Sequence, residues 1–237
     1  MRRFLGLLLC WPLLVGGGSR SFDGANDEID FGNVNNVTTG NYTLCIWAKS
    51  TEDASTDFWI GKRANVTTAT AGYSLWQLST DTSGIGEGDG VEGLVSPAGD
   101  ADGVWVYACG VWTASTEVNL NYANGAQIST ATGGGSIDSL TSASALQMGE
   151  DASDGNDSNS VQAYGRFHNV VLSVMNLNET MWFPERVTDS LSGLWPLWGS
   201  NSPEVDLSGL GLTGTIVAGA AESQDGPPVM FGLGLPL

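Results

Sequence analysis

Hydrophobic and polar positions alternate along most of the chain in short runs that are bounded by Gly, Asn, Asp or Ser. In NYTLCIWAKS, for example, Tyr42, Leu44 and Ile46 alternate with residues of the opposite face. A period of two indicates β-strands. The pair Asn124-Gly125 predicts a two-residue hairpin turn. Sustained helical periodicity is missing from the sequence, and its best helical candidate is NETMWFPERVTDS, where Pro184 predicts the start of a short helical turn.

Length and composition fit one folded β-sandwich. The chain has 237 residues, of which 41% are hydrophobic, so it can bury a sizeable core. Asp and Glu number 26 against 8 Lys and Arg, which gives a net charge of −18. Such a charge repels phosphate backbones and argues against nucleic-acid binding, while it attracts cations such as Ca²⁺.

Both ends of the chain differ from its middle. Residues 1–20 combine Arg2 and Arg3 with an apolar run too short for a transmembrane helix, so they are either a secretory signal peptide or a retained assembly arm. Residues 21–220 are predicted to form the domain. Residues 221–237 are a Gly/Pro-rich tail, which either contacts a partner chain or lies on its own domain.

Several segments in this order resemble a laminin G-like domain of the concanavalin A-like lectin/glucanase superfamily. They are SFDGANDEIDFGN, NYTLCIWAKS, WIGKRA, AGYSLWQL, GVWVYACGVWTAS, VNLNYANGAQIST, ALQMGED and QAYGRFHNVVLSVMNLNETMW, which together span about residues 21–190. The resemblance implies an all-β jelly-roll sandwich of two antiparallel sheets. One departure is Phe167-His168-Asn169, where the family commonly has an Ile-Asp-Glu-like triplet, so a family calcium site is not expected there.

Enzymatic chemistry finds little support in the residues, and the sequence predicts no enzyme. Retaining glucanases of this superfamily carry Glu-x-Asp-x-x-Glu on one strand, whereas Glu28 and Asp30 are followed by Asn33, which cannot act as a general acid. The single histidine, His168, alternates with apolar residues and is interpreted as a strand-surface or core histidine.

Two further patterns leave alternatives open. Asp151, Asp154 and Asp157 lie in an oxygen-rich loop that could hold calcium, the one candidate cofactor, although their spacing is equally that of solvated acidic turns. Cys45 and Cys109 both lie in apolar strand-like runs, where they either form a disulfide or remain two buried small hydrophobes.

Candidate binding residues come from the tryptophans. Trp182, Trp195 and Trp198 lie in the irregular C-terminal part, where exposed rings would contact a glycan or a partner, and the alternative is packing under the tail.

Together these patterns predict a non-enzymatic structural or attachment module on a phage virion surface, either a capsid decoration or an appendage protein. It would assemble with itself or other surface proteins through residues 1–18 and 226–237. The alternative is a secreted or cell-surface lectin-like module that binds carbohydrate, with calcium dependence. Neither hypothesis includes a transmembrane span.

Overall fold

A computed structural model describes residues 18–37, 40–50, 57–63, 71–78, 82–88, 93–98, 103–132, 140–151, 157–198 and 202–229. Within this part of the chain, fifteen strands form two sheets and one helix packs outside them. All strand pairs are antiparallel, which confirms the predicted two-sheet sandwich. No helix in the described ranges is long and apolar enough to cross a membrane.

The first sheet, sheet A, has the longest strands. In spatial order it contains β10 (Ala126–Thr132), β9 (Val118–Ala123), β8 (Val106–Thr113), β3 (Tyr42–Ser50), β12 (Asn159–His168), β1 (Ser19–Asp23) and β15 (Ala221–Ser223). A further strand, β13 (Leu191–Trp195), pairs with the second half of β12.

Sheet B lies opposite sheet A. Its order is β14 (Thr215–Val217), β2 (Glu28–Asp30), β11 (Gln147–Met148), β4 (Asp57–Arg63), β5 (Gly72–Leu78), β6 (Thr82–Gly88) and β7 (Gly93–Ala98). The glycine-rich β6 was not among the strands expected from alternation.

Two apolar clusters account for the alternation in sheet A. Leu44 and Ile46 of β3 belong to the main core, which also contains Trp59 and Leu75 of sheet B. Trp47, the residue after Ile46, belongs to a second cluster on the other face of the sheet, which includes residues of the helix. Both faces of β3 are therefore buried, because successive side chains of a strand point to opposite sides.

Helix α1 (Val174–Trp182) covers that second face and begins earlier than the sequence indicated. The hydroxyl oxygen of Ser173 accepts from the amide of Asn176 and caps the first turn. Pro184 was predicted to open the helix, and that prediction is wrong, since it follows the C-cap Phe183. Proline after the C-cap is common because it cannot continue a helix.

The hairpin between β9 and β10 confirms the turn prediction. Asn124 and Gly125 have φ values of 50° and 81°, the left-handed conformations that a type I′ turn requires.

Most of the predicted terminal segments, residues 1–17 and 230–237, lies outside the described residues. The described beginning of the tail packs on its own domain, since Val229 is fully buried in the second cluster.

Candidate functional site

A surface groove of about 430 Å³ lies beside β13, where the segment after α1 and the loop before β14 approach each other. Its lining combines one aromatic ring, one carboxylate, one hydroxyl and three leucines: Glu185, Thr188, Leu191, Leu194, Trp198 and Leu207. Mixed apolar and polar linings of this kind are typical of small-molecule sites.

Trp198 is held in place by a hydrogen bond beneath the groove. Its indole N–H donates to the hydroxyl oxygen of Tyr164 over 3.2 Å. Tyr164 lies at a bulge of β12 with a φ of 51°, a left-handed conformation that is rare for a bulky residue. Strained backbone of this kind is often found at functional sites. Burial raises the pKa of Tyr164 to about 12, so its hydroxyl stays neutral.

Residues 184–191, called here the groove wall, carry Glu185 and Thr188 to the groove. Arg166 of β12 donates to the backbone carbonyls of Pro184 and Val187, over 2.9 Å and 2.7 Å respectively. The wall is therefore fixed from below by a side chain that is fully buried.

His168, two residues further along β12, completes this anchor. Its Nε2 accepts from Nε of Arg166 over 2.9 Å, so the ring proton is on Nδ1, which donates to the carbonyl of Asp189 over 2.7 Å. Burial and the neighbouring Arg166 lower the pKa of His168 to about 4. The imidazole is therefore neutral at pH 7 and can serve as an acceptor.

The opposite side of the groove is shaped by Asp206. Its carboxylate accepts from the amides of Leu194, Ser208 and Leu212 and from the Ser208 hydroxyl. These bonds close a compact loop that presents Leu207 to the groove. Burial by itself would raise the pKa of Asp206, but the hydrogen bonds outweigh it and hold this pKa below its ordinary value.

The three tryptophans singled out from the sequence have different surroundings. Trp198 lines the groove and is partly buried. Trp182 is also partly buried, against the second apolar cluster. Trp195 is fully buried, 4.5 Å from the ring of Phe31, and its N–H donates to the carbonyl of Leu212. The prediction that Trp195 is an exposed binding residue is therefore wrong, because the alternation of β13 points its side chain into the main core.

The predicted calcium loop is only partly described, since Asp154 lies outside the described residues. Asp151 is buried and Asp157 is partly buried. Burial and the nearby Asp151 raise the pKa of Asp157, and burial and Asp157 raise that of Glu150. Among the residues that the structure describes, no three His, Cys, Asp or Glu side chains are arranged to hold a metal ion.

Cys45 and Cys109 are joined in a disulfide, one of the two alternatives left open by the sequence. They lie directly opposite each other on β3 and β8, within the second apolar cluster.

Comparison with known proteins identifies the family. A laminin G family model, described as concanavalin A-like lectin/glucanases superfamily, matches residues 23–177. A sequence comparison with curated proteins finds no match.

Among the solved structures that are similar in fold, two cover most of this chain. One is a protein from Bacteroides ovatus, provisionally classed as a carbohydrate binding protein, with a TM-score of 0.71 at 14% identity. The alignment covers 92% of this chain and 63% of that protein, so the chain spans less than two thirds of its length. The other is a heptameric SAP-like pentraxin from Limulus polyphemus, with a TM-score of 0.57 at 14% identity over 87% of this chain and 96% of the pentraxin. With the family match over most of its domain, the chain belongs to the concanavalin A-like lectin/glucanases superfamily.

Proposed function

We propose that this protein is a non-catalytic, lectin-like module that binds carbohydrate in the groove at Trp198. The observation that carries the proposal is the fixed indole ring of Trp198 in a groove that also offers the side chains of Glu185 and Thr188. An aromatic face packs against the C–H face of a sugar ring, while a carboxylate and a hydroxyl bind sugar hydroxyls.

Charge narrows the class of glycan. Glu185 is the one ionisable group of the groove lining, and the whole chain carries a net charge of −18. Both disfavour an acidic sugar through like-charge repulsion. We therefore expect an uncharged saccharide with one apolar ring face.

Similarity in fold gives this proposal limited support. The Bacteroides ovatus protein is provisionally classed with carbohydrate binding, and it shares the fold over most of this chain. Because one fold carries many functions, the groove residues of this chain have to decide the matter.

A glycan array probed with the full chain, followed by calorimetric titration of the best neutral glycan, tests the proposal. Trp198→Ala should remove binding while the far-UV spectrum stays unchanged. The matched control is Met175→Ala, because Met175 is 75% exposed on α1 and does not line the groove. Equal glycan binding by both variants would exclude the groove as the binding site. An array on which no glycan is bound would refute the proposed carbohydrate-binding function.

Calcium dependence remains part of the lectin hypothesis. The carboxyl groups of Glu150 and Asp157 have pKa values raised by burial and by neighbouring acids, and a bound cation would relieve this repulsion. Titration with Ca²⁺ in a calorimeter, repeated on Asp157→Asn, decides this point. Glycan binding that persists unchanged in EDTA would remove calcium from the proposal.

Assembly on a virion surface is the second candidate, and the adjacent ends of the described domain favour it. Ser19 of β1 is paired with Ser223 of β15, and the hydroxyl of Ser19 donates to the carbonyl of Asp225 over 2.5 Å. The first described strand and the first residues of the predicted tail therefore lie side by side at one edge of sheet A, where one partner could contact both. Intact mass and light scattering of the natural protein test this: a full-length chain in a large regular assembly supports it, and a shortened monomer supports a secreted lectin.

A further inference from the structure

We propose that Arg166 and His168 form an acid-sensitive latch. While His168 is neutral, the pair holds the groove wall against β12, and protonation of His168 releases the wall and with it the ligand. Release of the ligand rests on the function proposed above, whereas movement of the wall does not.

Three hydrogen bonds connect the latch to the wall. Arg166 donates to the carbonyls of Pro184 and Val187, and His168 donates to the carbonyl of Asp189 over 2.7 Å. The two polar groove-lining residues of the wall, Glu185 and Thr188, alternate along the chain with these three anchored positions. The position of the polar side of the groove therefore depends on two side chains that belong to another element.

The two side chains also depend on each other. Nε of Arg166 donates to Nε2 of His168 over 2.9 Å, and this bond requires a free lone pair on Nε2. Protonation places a hydrogen on that nitrogen, so two donors and two positive charges would face each other. Both side chains are fully buried, and an uncompensated buried charge is strongly destabilising.

In the described part of the chain, the neighbours of Arg166 and His168 offer no carboxylate paired with the second charge. No carboxylate among the described residues forms an ion pair with Arg166 or His168. On the side of β8, the hydroxyl of Tyr107 lies near Arg166 and donates to Thr180 of α1. Thr43 of β3 is opposite His168 in register. The charged side chains of the wall, which are Glu185, Arg186 and Asp189, are exposed to solvent.

The pH range of the latch follows from these contacts. Burial and the charge of Arg166 lower the pKa of His168 from its ordinary value of 6.5 to about 4. The latch is therefore closed at neutral pH and opens in acid.

Nuclear magnetic resonance of the unliganded protein tests the latch directly, because the chain contains 1 histidine and its imidazole signal is unambiguous. We expect the amide signals of residues 184–191 to shift with the same midpoint as that imidazole, near pH 4, while those of β9, which does not pair with β12, stay unchanged. His168→Gln retains an acceptor and a donor but does not titrate, so its wall signals should remain in the neutral-pH position.

Control variants separate the histidine from the acids of the wall. Glu185→Gln and Asp189→Asn each remove one carboxylate of the groove wall, and each should leave the midpoint unchanged. Wall signals that stay constant while His168 titrates would overturn the latch. Loss of the β9 signals at the same midpoint would also overturn it, since that would indicate unfolding of the whole domain.

Ligand release is measured separately by titrating the best glycan at several pH values. If half of the molecules are released at the midpoint, the apparent Kd should rise about twofold there and about tenfold one pH unit lower. In His168→Gln it should stay flat over this range. An absence of glycan binding at neutral pH would refute the proposed function alone, whereas a pH-independent Kd in the unmodified protein would refute the latch.

Discussion

Nε of Arg20 in β1 donates to Oε1 of Glu204 over 2.6 Å, and both side chains are buried at the edge of sheet A. The guanidinium also donates to the carbonyl of Ala220 over 2.9 Å. The guanidinium of Arg20 therefore connects β1 with Glu204, which precedes β14, and with Ala220, which follows it. Because the segment between these two residues includes the Asp206 loop, the pair also supports one side of the groove.

Removal of the Glu204 carboxylate should destabilise the domain. Glu204→Ala removes the carboxylate of this buried ion pair, and breaking a buried ion pair costs about 3–5 kcal/mol of unfolding free energy. Urea denaturation at pH 7 measures the loss. The control is Glu222→Ala in β15, whose exposed side chain should contribute less than about 0.5 kcal/mol. Equal losses in both variants would contradict a special role for the buried pair.

The disulfide should contribute strongly to stability. Cys45 and Cys109 are separated by 64 positions, and the loss of loop-closure entropy in the unfolded chain for a loop of this size corresponds to about 4 kcal/mol. A reducing agent should therefore lower the denaturation midpoint of the unmodified protein. The double variant Cys45→Ala, Cys109→Ala should have the lower denaturation midpoint both with and without the reductant. An unmodified protein that is equally stable with and without reductant would show that the bond contributes nothing.

Alternation was sufficient to predict strands such as β3 and β8, because it reports directly which side chains a strand buries. The Asn124-Gly125 pair predicted the hairpin, and the ordered series of segments indicated the family and its two-sheet sandwich. The same rule failed for β6, whose sequence TSGIGEG offers too few large side chains to show a period. Alternation also assigns no strand to a sheet, since pairing is decided by contacts between distant segments.

The groove could be predicted only in part. Trp198 was identified as a candidate, yet its neighbour Trp195 was assigned to the same role, because the sequence does not reveal the register of β13. Arg166 and His168 share one face of β12, which a two-residue spacing does indicate. Their partners are backbone carbonyls of a separate loop, and backbone groups leave no signature in the sequence.

Loss of the hydrogen bond from Trp198 to Tyr164 should reduce ligand affinity more than it reduces the stability of the fold. Tyr164→Phe keeps the ring in its bulge and removes the acceptor for the indole N–H, which should cost about 1 kcal/mol of stability. The looser Trp198 ring should then bind the neutral glycan several-fold more weakly, as calorimetric titration can measure.

A suitable comparison for this variant is Tyr122→Phe, since Tyr122 belongs to the same apolar cluster but does not contact the groove. This change should leave glycan affinity unchanged. If Tyr164→Phe binds as tightly as the unmodified protein, the orientation of Trp198 does not depend on that bond.

The Asp206 loop should make part of the stability pH-dependent. Since its hydrogen bonds keep the folded-state pKa of Asp206 below the ordinary value of 3.8, the carboxylate stabilises the fold at pH values above 3.8. This contribution is lost as the pH falls through the lower, folded-state pKa. Asp206→Asn removes the charge and should cost about 1–2 kcal/mol at pH 7, because hydrogen bonds to a charged acceptor are the stronger kind.

Urea denaturation of the unmodified protein and Asp206→Asn, at pH 7 and again in acid, tests this expectation. The difference in unfolding free energy should shrink as the pH decreases, because the protonated carboxyl group and the amide then resemble each other. Asp189→Asn on the exposed groove wall serves as the control and should show a small difference at both pH values. If the difference in unfolding free energy for Asp206→Asn stays constant with pH, the charge of Asp206 does not stabilise the loop.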